Sequence, residues 1–355
     1  MNPKCFVAAL ALAAVTASAQ AQWTVTTLHP GGPNYSYGYG ASGGRQVGRI
    51  FAGSLTRALL WNGSPGSAID LTPGAASEAS AWAIDGNFQV GDATVQNAPH
   101  ASLWNGSADS WVDLHPDGAG ISSARAVSGS QQGGLVFIAG EQHASLWSGT
   151  AASWVDLHPT GAPASAVNAM SATRQAGFVQ VGSFEHASVW SGTPESWVDL
   201  NPLNSLLSNA YGASGSQQVG SARINGGLAH AGLWHGTPES FVDLHPAGFS
   251  GSAAYATDGT YQVGYASGPG QIRAGLWQGT PDSWVNLSAF LPANYATAYA
   301  QGVSSDGTNL YVVGWALNTT TVQYEAVLWQ RPIPAPGAAW IAGLGALIAS
   351  RRRRG

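Results

Sequence analysis

Three Asp-x-His pairs are the residues whose types and spacing most directly suggest chemistry in this sequence. The pairs are Asp113/His115, Asp156/His158 and Asp243/His245. In a β-strand, side chains at positions i and i+2 point to the same face, so both members of a pair could reach one ligand. Zinc takes three or four protein ligands, and one pair supplies only two. A metal site would therefore need a further residue beside each pair.

The polar residues around these pairs recur along the chain, but the copies are incomplete. A histidine stands before each of four apolar stretches, at His100, His143, His186 and His230. Other copies carry a different residue at one of the repeated positions, at Arg57, Thr72, Asn201, Arg273, Asn286 and Ser288. A catalytic or metal-binding residue needed in every copy would not be lost in this way. We predict that the Asp and His side chains hydrogen-bond loop backbone, and we predict no catalytic, metal-binding or cofactor-binding residue.

Aromatic side chains form two further repeated sets. The first is the Trp of a repeated Leu-Trp or Val-Trp, at Trp61, Trp104, Trp147, Trp190, Trp234, Trp277 and Trp329. A large flat side chain fills the wedge between twisted sheets, so this set is predicted to pack between repeats. The second set is Trp23, Trp111, Trp154, Trp197, Phe241 and Trp284, of which the last five are the candidates for ligand contact. Packing is favoured here too, with stacking of a sugar as the alternative, because a position on an edge strand permits exposure.

The elements that must position these residues are short strands in a repeat of about 43 residues. The Leu that ends the repeated Val-Asp-Leu recurs at spacings of 43, 43, 43, 43, 44 and 43, at Leu28, Leu71, Leu114, Leu157, Leu200, Leu244 and Leu287. Each unit contains four strand-like pieces separated by Gly, Pro, Ser and Asn clusters, and none shows helical periodicity. Four strands per unit match a propeller blade. The sequence therefore predicts an all-β fold, a seven-bladed β-propeller formed by residues 22–331.

Loop lengths predict the order of the strands within a blade. The Leu-Trp strand and the strand "SWVDL" are separated by about six residues, so they should be neighbours, with "SWVDL" outermost. The longer Pro- and Gly-containing segment after it should cross to the small-residue innermost strand of the next blade. The chain begins with an outer-type strand, 23–28, and ends on a Leu-Trp strand. We therefore expect the N-terminal strand to complete the last blade and close the ring.

The predicted innermost segments show no recognisable catalytic arrangement. They contribute tyrosines, Arg125, Asn168, Asp85 and Asp258, without paired carboxylates for acid–base work. Asp85, Asp258 and Asp306 fall at predicted hairpin turns, where backbone geometry explains them. An enzyme would need a carboxylate within about 4 Å of Arg125 and Asn168 at one mouth of the channel.

Composition excludes nucleic acid as a partner. Charged residues make up 9% of the chain, and residues 22–331 contain eight Arg and no Lys against all 18 Asp and Glu. Such a chain lacks the clustered cations that neutralise phosphates. A monomer is expected.

Both ends of the chain read as targeting segments. Residues 1–21 combine Lys4, an apolar run and small residues at Ala19 and Ala21, which is typical of a secretory signal peptide. The single cysteine, Cys5, lies inside it, so thiol chemistry is not expected in the exported protein. Residues 332–355 contain Pro334-Ala335-Pro336, a short apolar segment and Arg351, Arg352, Arg353 and Arg354.

This tail resembles the PEP-CTERM sorting signal of Gram-negative bacteria, with Pro334 and Pro336 flanking Ala335 where that signal has Glu. The resemblance implies a tail that is held transiently in the inner membrane and removed by an exosortase-type enzyme. A plain membrane anchor is the alternative, although the apolar stretch is short of the roughly 20 residues of a spanning helix.

The repeated "HASLW", "VDL" and "QVG" segments resemble the extracellular HAF repeat family over nearly all of residues 23–330. Ser102, Ser145, Ser188 and Gly232 stand where that family has Phe. The resemblance implies an exported, propeller-like repeat protein, displayed on the cell surface or in extracellular matrix. We expect a non-enzymatic binding or structural role, with extracellular polysaccharide or surface proteins as partners. A lectin-like propeller that uses the repeated Trp, or a secreted polysaccharide hydrolase or lyase, are the alternatives.

Overall fold

Seven four-stranded antiparallel sheets form a seven-bladed β-propeller in the computed structural model, which describes residues 22–32 and 34–333. The prediction of an all-β propeller is confirmed, and we number the blades 1 to 7 in chain order. The innermost strands, one per blade, are Tyr35–Ser42, Ala79–Asp85, Ile121–Ser128, Ser165–Met170, Ser205–Ser214, Gly251–Thr257 and Tyr295–Ser305. The second strands are Arg45–Ala52, Phe88–Val95, Gln131–Ile138, Gln175–Val181, Gln217–Ile224, Gln262–Gly268 and Asn309–Asn318.

The third and outermost strands carry the repeated Trp and Asp residues. The third strands are Leu55–Trp61, Ala98–Trp104, Glu141–Trp147, Phe184–Trp190, Ala229–Trp234, Gln271–Trp277 and Gln323–Pro332. The outermost strands are Ile69–Asp70, Val112–Asp113, Val155–Asp156, Val198–Asp199, Val242–Asp243, Val285–Asn286 and, in blade 7, Thr24–Thr27. Short 3-10 helices stand at Pro65–Ser67, Ala108–Ser110, Ala151–Ser153, Pro194–Ser196, Pro238–Ser240, Pro281–Ser283 and Leu287–Phe290.

The outermost strands of blades 1 to 6 are shorter than predicted, with two residues each. In blade 3, the residues before Val155 form a 3-10 turn because the Ser153 hydroxyl donates to the Thr150 carbonyl at 2.6 Å and accepts the backbone N–H of Ser148 at 2.8 Å. Trp154 therefore ends this turn and does not belong to the strand.

The N-terminal strand closes the ring, as predicted. Thr24–Thr27 pairs antiparallel with the last strand of the chain, with Thr24 opposite Gln330 and Thr27 opposite Val327. The side chains that flank this strand are buried, Trp23 at 7% exposure and Leu28 at 0%. Closure thus pairs an edge that would otherwise be exposed.

The seven Leu-Trp and Val-Trp tryptophans form the inter-blade core, and the packing prediction for them is confirmed. Each of them is 0% exposed. Trp147 of blade 3 packs against Val90, Leu103 and Leu114 of blade 2, and Trp61 of blade 1 packs against Leu328 of blade 7. Every blade is therefore held to the preceding one by a buried indole.

A β-bulge interrupts the innermost strand of every blade opposite a repeated glycine. In blade 3 the bulge lies between Ala124 and Ala126, so that Arg125 has no partner in the ladder. A Cβ atom on the facing Gly134 would lie 2.0 Å from the Ser123 carbonyl oxygen, a distance no side chain tolerates. The glycine of the repeated Gln-x-Gly is thus required by the bulge, and bulges commonly re-aim a side chain toward a site.

The predicted targeting segments fall outside the described residues. These comprise the signal peptide 1–21 with Ala19 and Ala21, and the sorting residues Pro334, Pro336, Arg351, Arg352, Arg353 and Arg354. The last strand runs to Pro332, one residue past the predicted end of the propeller. Within 22–32 and 34–333, no helix has the length and apolar character needed to cross a membrane.

Candidate functional site

The Asp-x-His residues form a hydrogen-bond network at the outer end of the blades, which we call the rim network. In blade 3, Asp156 accepts the backbone N–H of His158 at 2.8 Å and a hydrogen bond from His143 Nδ1 at 2.7 Å. The His158 ring stacks on the His143 ring with centroids 4.1 Å apart. His158 Nδ1 contacts the Ser165 hydroxyl at 2.7 Å, and this hydroxyl accepts the buried N–H of Ala144.

The hydrogen bonds assign His158 to one neutral tautomer. Its Nε2 lies 2.9 Å from the Ala162 carbonyl oxygen and must donate to it, so Nδ1 accepts from Ser165. Burial lowers the pKa of His158, and the stacked His143 lowers it further. The pKa values of His115 and His245 are lowered for the same reasons, by burial and by the stacked His100 and His230 respectively.

The blades that lack the second histidine satisfy the equivalent backbone N–H with other side chains. In blade 1 the Thr72 hydroxyl, and in blade 6 the Ser288 hydroxyl, accept the equivalent backbone N–H directly, at 3.2 and 2.9 Å. In blade 4, Asn201 accepts a hydrogen bond from the Ser208 hydroxyl, which in turn accepts the N–H of Ala187. The constant element is thus a satisfied backbone donor, which agrees with the predicted structural role.

One group of three potential metal ligands occurs among the described residues, at Glu141, His143 and His158. The two imidazoles are nearly parallel, with an interplanar angle of 10°, so their lone pairs do not converge on one point. Both nitrogens of His158 are already hydrogen-bonded within the network. This group does not have the geometry of a metal site.

The five outer aromatic residues proposed for sugar stacking lie half-buried, one on each of blades 2 to 6. The indole N–H groups of Trp111, Trp154 and Trp197 donate to Ser102, Ser145 and Ser188 at 2.9 to 3.0 Å. Phe241 and Trp284 instead lie against glycines, where a Cβ atom at Gly232 or Gly275 would collide with the ring. Ser102, Ser145, Ser188, Gly232 and Gly275, which occupy one repeat position, therefore seat these rings. Stacking of a ligand on them stays a prediction.

The seven bulged residues of the innermost strands face a common cavity on the propeller axis. They recur at spacings of 43, 43, 43, 43, 44 and 46 residues, yet their types differ from blade to blade: Tyr39, Trp82, Arg125, Asn168, Tyr211, Tyr255 and Gln301. All seven line one cavity of about 200 Å³. We call this ring, with the side chains that contact it, the axial mouth. The spacing of these residues can be seen in the sequence, except in blade 7. There, aligning segment 298–302 with the other innermost segments predicts Tyr299 at this position, whereas the structure places Gln301 at the bulge.

One side of the axial mouth is a chain of polar side chains. Arg125 Nη1 donates to Asn168 Oδ1 at 3.0 Å, and Asn168 Nδ2 donates to Asn209 Oδ1 at 2.9 Å. Asn209 Nδ2 then donates to Glu185 Oε2 at 2.9 Å. The structure therefore brings Arg125 and Asn168 together and connects them to a carboxylate through one intervening amide. The sequence did not reveal this cluster because Glu185 and Asn209 belong to strands whose register was unknown.

A second carboxylate, Asp92, lies on blade 2, next to the blade that carries Arg125. Asp92 accepts the indole N–H of Trp82 at 3.0 Å. Burial raises the pKa of Asp92 to about 6, against the opposing effects of the Trp82 hydrogen bond and of Arg125 and Arg49. The Arg49 guanidinium lies 5.2 Å from the centroid of the Trp82 ring and 5.6 Å from that of Tyr39, within cation–π distance of both.

The other side of the axial mouth is a continuous arc of aromatic rings. Neighbouring centroids lie 4.2 to 6.4 Å apart along the series Trp82, Tyr39, Tyr37, Trp315, Tyr299, Tyr265, Tyr255 and Tyr211. Burial raises the pKa of Tyr39 to about 12, so its hydroxyl stays protonated near neutrality and can donate. Tyr211 and Tyr255 also line a second cavity of about 200 Å³, beside Glu185, Asn209 and Arg223.

The turns at the opposite end of the innermost strands have structural roles. Asp258 and Asp306 accept backbone N–H groups within their own turns, as predicted. Asp85 instead accepts the N–H of Gly129 in the next blade at 2.8 Å, so it ties two blades together.

No protein-family model matches the sequence, and no curated protein matches it. Solved structures show the same fold at low identity. The β-propeller domain of the Trilobed protease from Pyrococcus furiosus is 9% identical, with a TM-score of 0.56, over 85% of this chain and 96% of that one. An oligogalacturonate lyase in complex with manganese is 10% identical, with a TM-score of 0.56, over 89% and 94%.

A puromycin-hydrolysing peptidase from Mycobacterium tuberculosis is 14% identical, with a TM-score of 0.52, over 86% of this chain and 55% of that one. The chain spans about half the length of this peptidase. At these identities the likeness concerns the fold alone.

Proposed function

We propose that this protein is an exported propeller that binds a saccharide in its axial mouth and performs no catalysis. The single observation that carries the proposal is the contrast between repeat positions. The rim positions keep one task in every blade, whereas the seven bulge positions share a location and differ in type. A position that the fold does not constrain, facing one cavity, is where a ligand specificity is built.

A saccharide fits the chemistry of this site best. Its ring has apolar C–H faces that suit aromatic side chains, and its hydroxyls pair with planar amide, carboxylate and guanidinium groups. The axial mouth offers an aromatic arc on one side and Arg125, Asn168, Asn209 and Glu185 on the other. The central cavity of about 200 Å³ is below the roughly 300–1,000 Å³ of pockets for drug-sized ligands, which favours a single sugar unit or a chain end.

The targeting segments support export. The N-terminal signal would direct the chain across the inner membrane, and an exosortase-type enzyme would remove the Arg-rich tail to release the propeller to the cell surface or matrix. The mass of the C-terminal peptide of protein purified from its host tests this step. A C-terminal peptide that ends before Arg351 supports removal, and one that ends at Gly355 contradicts it.

A glycan array probed with residues 22–333 tests the binding proposal. Tyr255→Leu removes a platform of the axial mouth, and Trp154→Leu removes a matched aromatic side chain at the rim. We expect Tyr255→Leu to lose binding and Trp154→Leu to retain it, with both variants folded by circular dichroism. Absence of any saccharide ligand, or loss of binding in Trp154→Leu alone, would overturn the proposal.

The enzymatic alternative has one observation in its favour, the Asp92 carboxylate with its raised pKa beside Arg125. Within the described residues, however, every ion pair closer than 4.0 Å joins a histidine to a carboxylate, so Arg125 has no carboxylate at contact distance. Incubation with each bound saccharide, followed by mass spectrometry, distinguishes the two functions. Unchanged saccharide supports binding alone, and shortened products that disappear with Asp92→Asn would establish an enzyme.

A further inference from the structure

We propose that the saccharide recognised by the axial mouth is acidic, and that a carboxylate of a uronic acid unit pairs with the guanidinium of Arg125. This inference rests on the proposed function and names the ligand class of the same site. It follows from the hydrogen bonds of Arg125, from the distribution of cations over the molecule and from the aromatic side chains that line the same cavity.

Arg125 holds unused donors in the centre of the channel. A guanidinium has five N–H donors, and the protein partner of Arg125 is the side-chain oxygen of Asn168, which Nη1 reaches at 3.0 Å. The side chain is solvent-accessible in the cavity, and among the described residues no carboxylate oxygen lies within 4.0 Å of it. A planar carboxylate of a ligand is the group that matches the remaining fork of donors.

The nearby protein carboxylates have other partners. Asp92 accepts the Trp82 indole N–H, and Glu185 accepts the amide of Asn209. Burial raises the pKa of Asp92 to about 6, so this carboxylate is protonated more readily than an exposed one. Neither group therefore occupies the position that a ligand carboxylate would take at Arg125.

The cations of the chain are concentrated at this site. Residues 22–331 contain eight Arg against 18 Asp and Glu, and three of the eight, Arg49, Arg125 and Arg223, belong to the axial mouth or the adjoining cavity. The acidic residues in the same contacts are Asp92 and Glu185. A chain that is acidic by about ten charges thus has an excess of cations where its ligand would enter, which favours an anion at short range.

The two cavities also place aromatic walls beside this cation. Tyr211 and Tyr255 line both cavities, with ring centroids 5.5 Å apart, and Arg125 lines the central one. A sugar ring stacked on Tyr255 would lie in the same cavity as the Arg125 guanidinium. A second unit of the same chain would extend into the cavity beside Asn209 and Arg223.

Matched pairs of oligosaccharides test the inference without altering the protein. Trimers of galacturonate, glucuronate and mannuronate are compared with their carboxyl-reduced, neutral forms by isothermal titration calorimetry. We expect at least one uronate trimer to bind about 10- to 100-fold more tightly than its neutral form, as charge-assisted hydrogen bonds imply. Equal binding of acidic and neutral trimers would overturn the inference and leave the proposed saccharide function standing, whereas binding of neither would count against both.

Substitutions of Arg125 test whether this residue causes the preference for the acidic trimer. Arg125→Gln should lose the preference for the acidic trimer, and Arg125→Lys, which keeps the charge without the fork, should recover part of it. Arg273→Gln on the third strand of blade 6 is the matched rim control and should bind as the unaltered protein does. Preference retained in Arg125→Gln, or tighter binding of a sulfated trimer than of any uronate, would contradict the assignment of a carboxylate to Arg125.

Discussion

The rim network and the axial mouth differ in what the repeat keeps constant, a hydrogen-bonding task at the rim and a backbone geometry at the axis. At the rim, different side chains serve one purpose, since Thr72, Ser165 and Ser288 each satisfy the same buried backbone N–H. At the axis, one backbone device, the bulge, presents a different side chain in every blade. The repeated Asp and His residues therefore maintain the fold, whereas the variable residues that face the cavity are where we propose that a ligand is recognised.

The difference has a physical cause in the position of each region. The rim residues lie where every blade ends its outermost strand and begins the crossing to the next blade, so every copy meets an equivalent backbone donor that needs a partner. The bulged residues have no partner in the ladder and face the channel, so the fold leaves their identity open.

The largest expected effect concerns the ring itself. Deleting residues 22–30 removes the strand that closes blade 7 and the buried Trp23 and Leu28, which should lower the free energy of unfolding by at least about 5 kcal/mol. Thr24→Ala in the same strand is exposed and should have little effect. Thermal unfolding followed by circular dichroism measures both, and an unchanged melting curve after the deletion would contradict the closed ring.

A pair of substitutions separates the two regions by stability. Asp156→Ala removes two hydrogen bonds of the rim network and should cost about 1–3 kcal/mol of unfolding free energy without changing saccharide affinity. Arg125→Gln should change stability by no more than about 0.5 kcal/mol, because its side chain is accessible and makes one protein hydrogen bond. Urea unfolding of both variants is the measurement, and the reverse order of costs would break the distinction.

Lowering the pH should destabilise the rim network. Because the pKa values of His115, His158 and His245 are lowered from 6.5, the unfolded chain binds more protons than the folded one just below that pH. The stability that these histidines contribute is present above pH 6.5 and is lost as the pH falls through their folded pKa values. The melting temperature should therefore fall as the pH is lowered from 7.5 to 5.

Blade 4 supplies the control for this effect, since it has Asn201 where blades 2, 3 and 5 have His115, His158 and His245. Replacing the three histidines by Asn should flatten the pH dependence in this range. An equally steep dependence in the triple variant would show that other groups cause it.

A smaller effect than that of Asp156→Ala is expected at the outer aromatic residues. Trp154→Phe removes the 3.0 Å hydrogen bond from the indole to Ser145 and keeps a flat ring, so it should cost about 0.5–1.5 kcal/mol. Saccharide affinity should stay the same if the ring only packs. A lower saccharide affinity in Trp154→Phe would favour stacking at the rim and would count against ligand binding at the axis alone.

Much of the fold could be predicted from the sequence because the repeat multiplies a weak local signal. One copy of "HASLW" or "VDL" says little, whereas seven copies at a fixed period indicate blades, their number and the closure at Thr24–Thr27. The structural role of the Asp and His residues was also predictable, because Asn201 and Thr72 broke the pattern. The length of the outer strands was not, because the Ser153 turn replaces strand pairing with side-chain hydrogen bonds.

The candidate site escaped prediction for a related reason. Arg125 and Asn168 stood in the innermost segments, but their contact depends on the bulge and on the angle between two blades. Glu185 lies on a third strand and reaches the axis only through Asn209. Register across blades is set by packing of the whole ring, and the local sequence does not encode it.

Hydrogen exchange with and without the tightest-binding saccharide tests whether the ligand binds at the axis while the rim network only maintains the fold. We expect increased protection in peptides that cover the bulges at Arg125, Asn168, Tyr211 and Tyr255, with unchanged exchange in the hairpin 148–156. Protection confined to that hairpin and its counterparts in other blades, with the innermost strands unchanged, would contradict it.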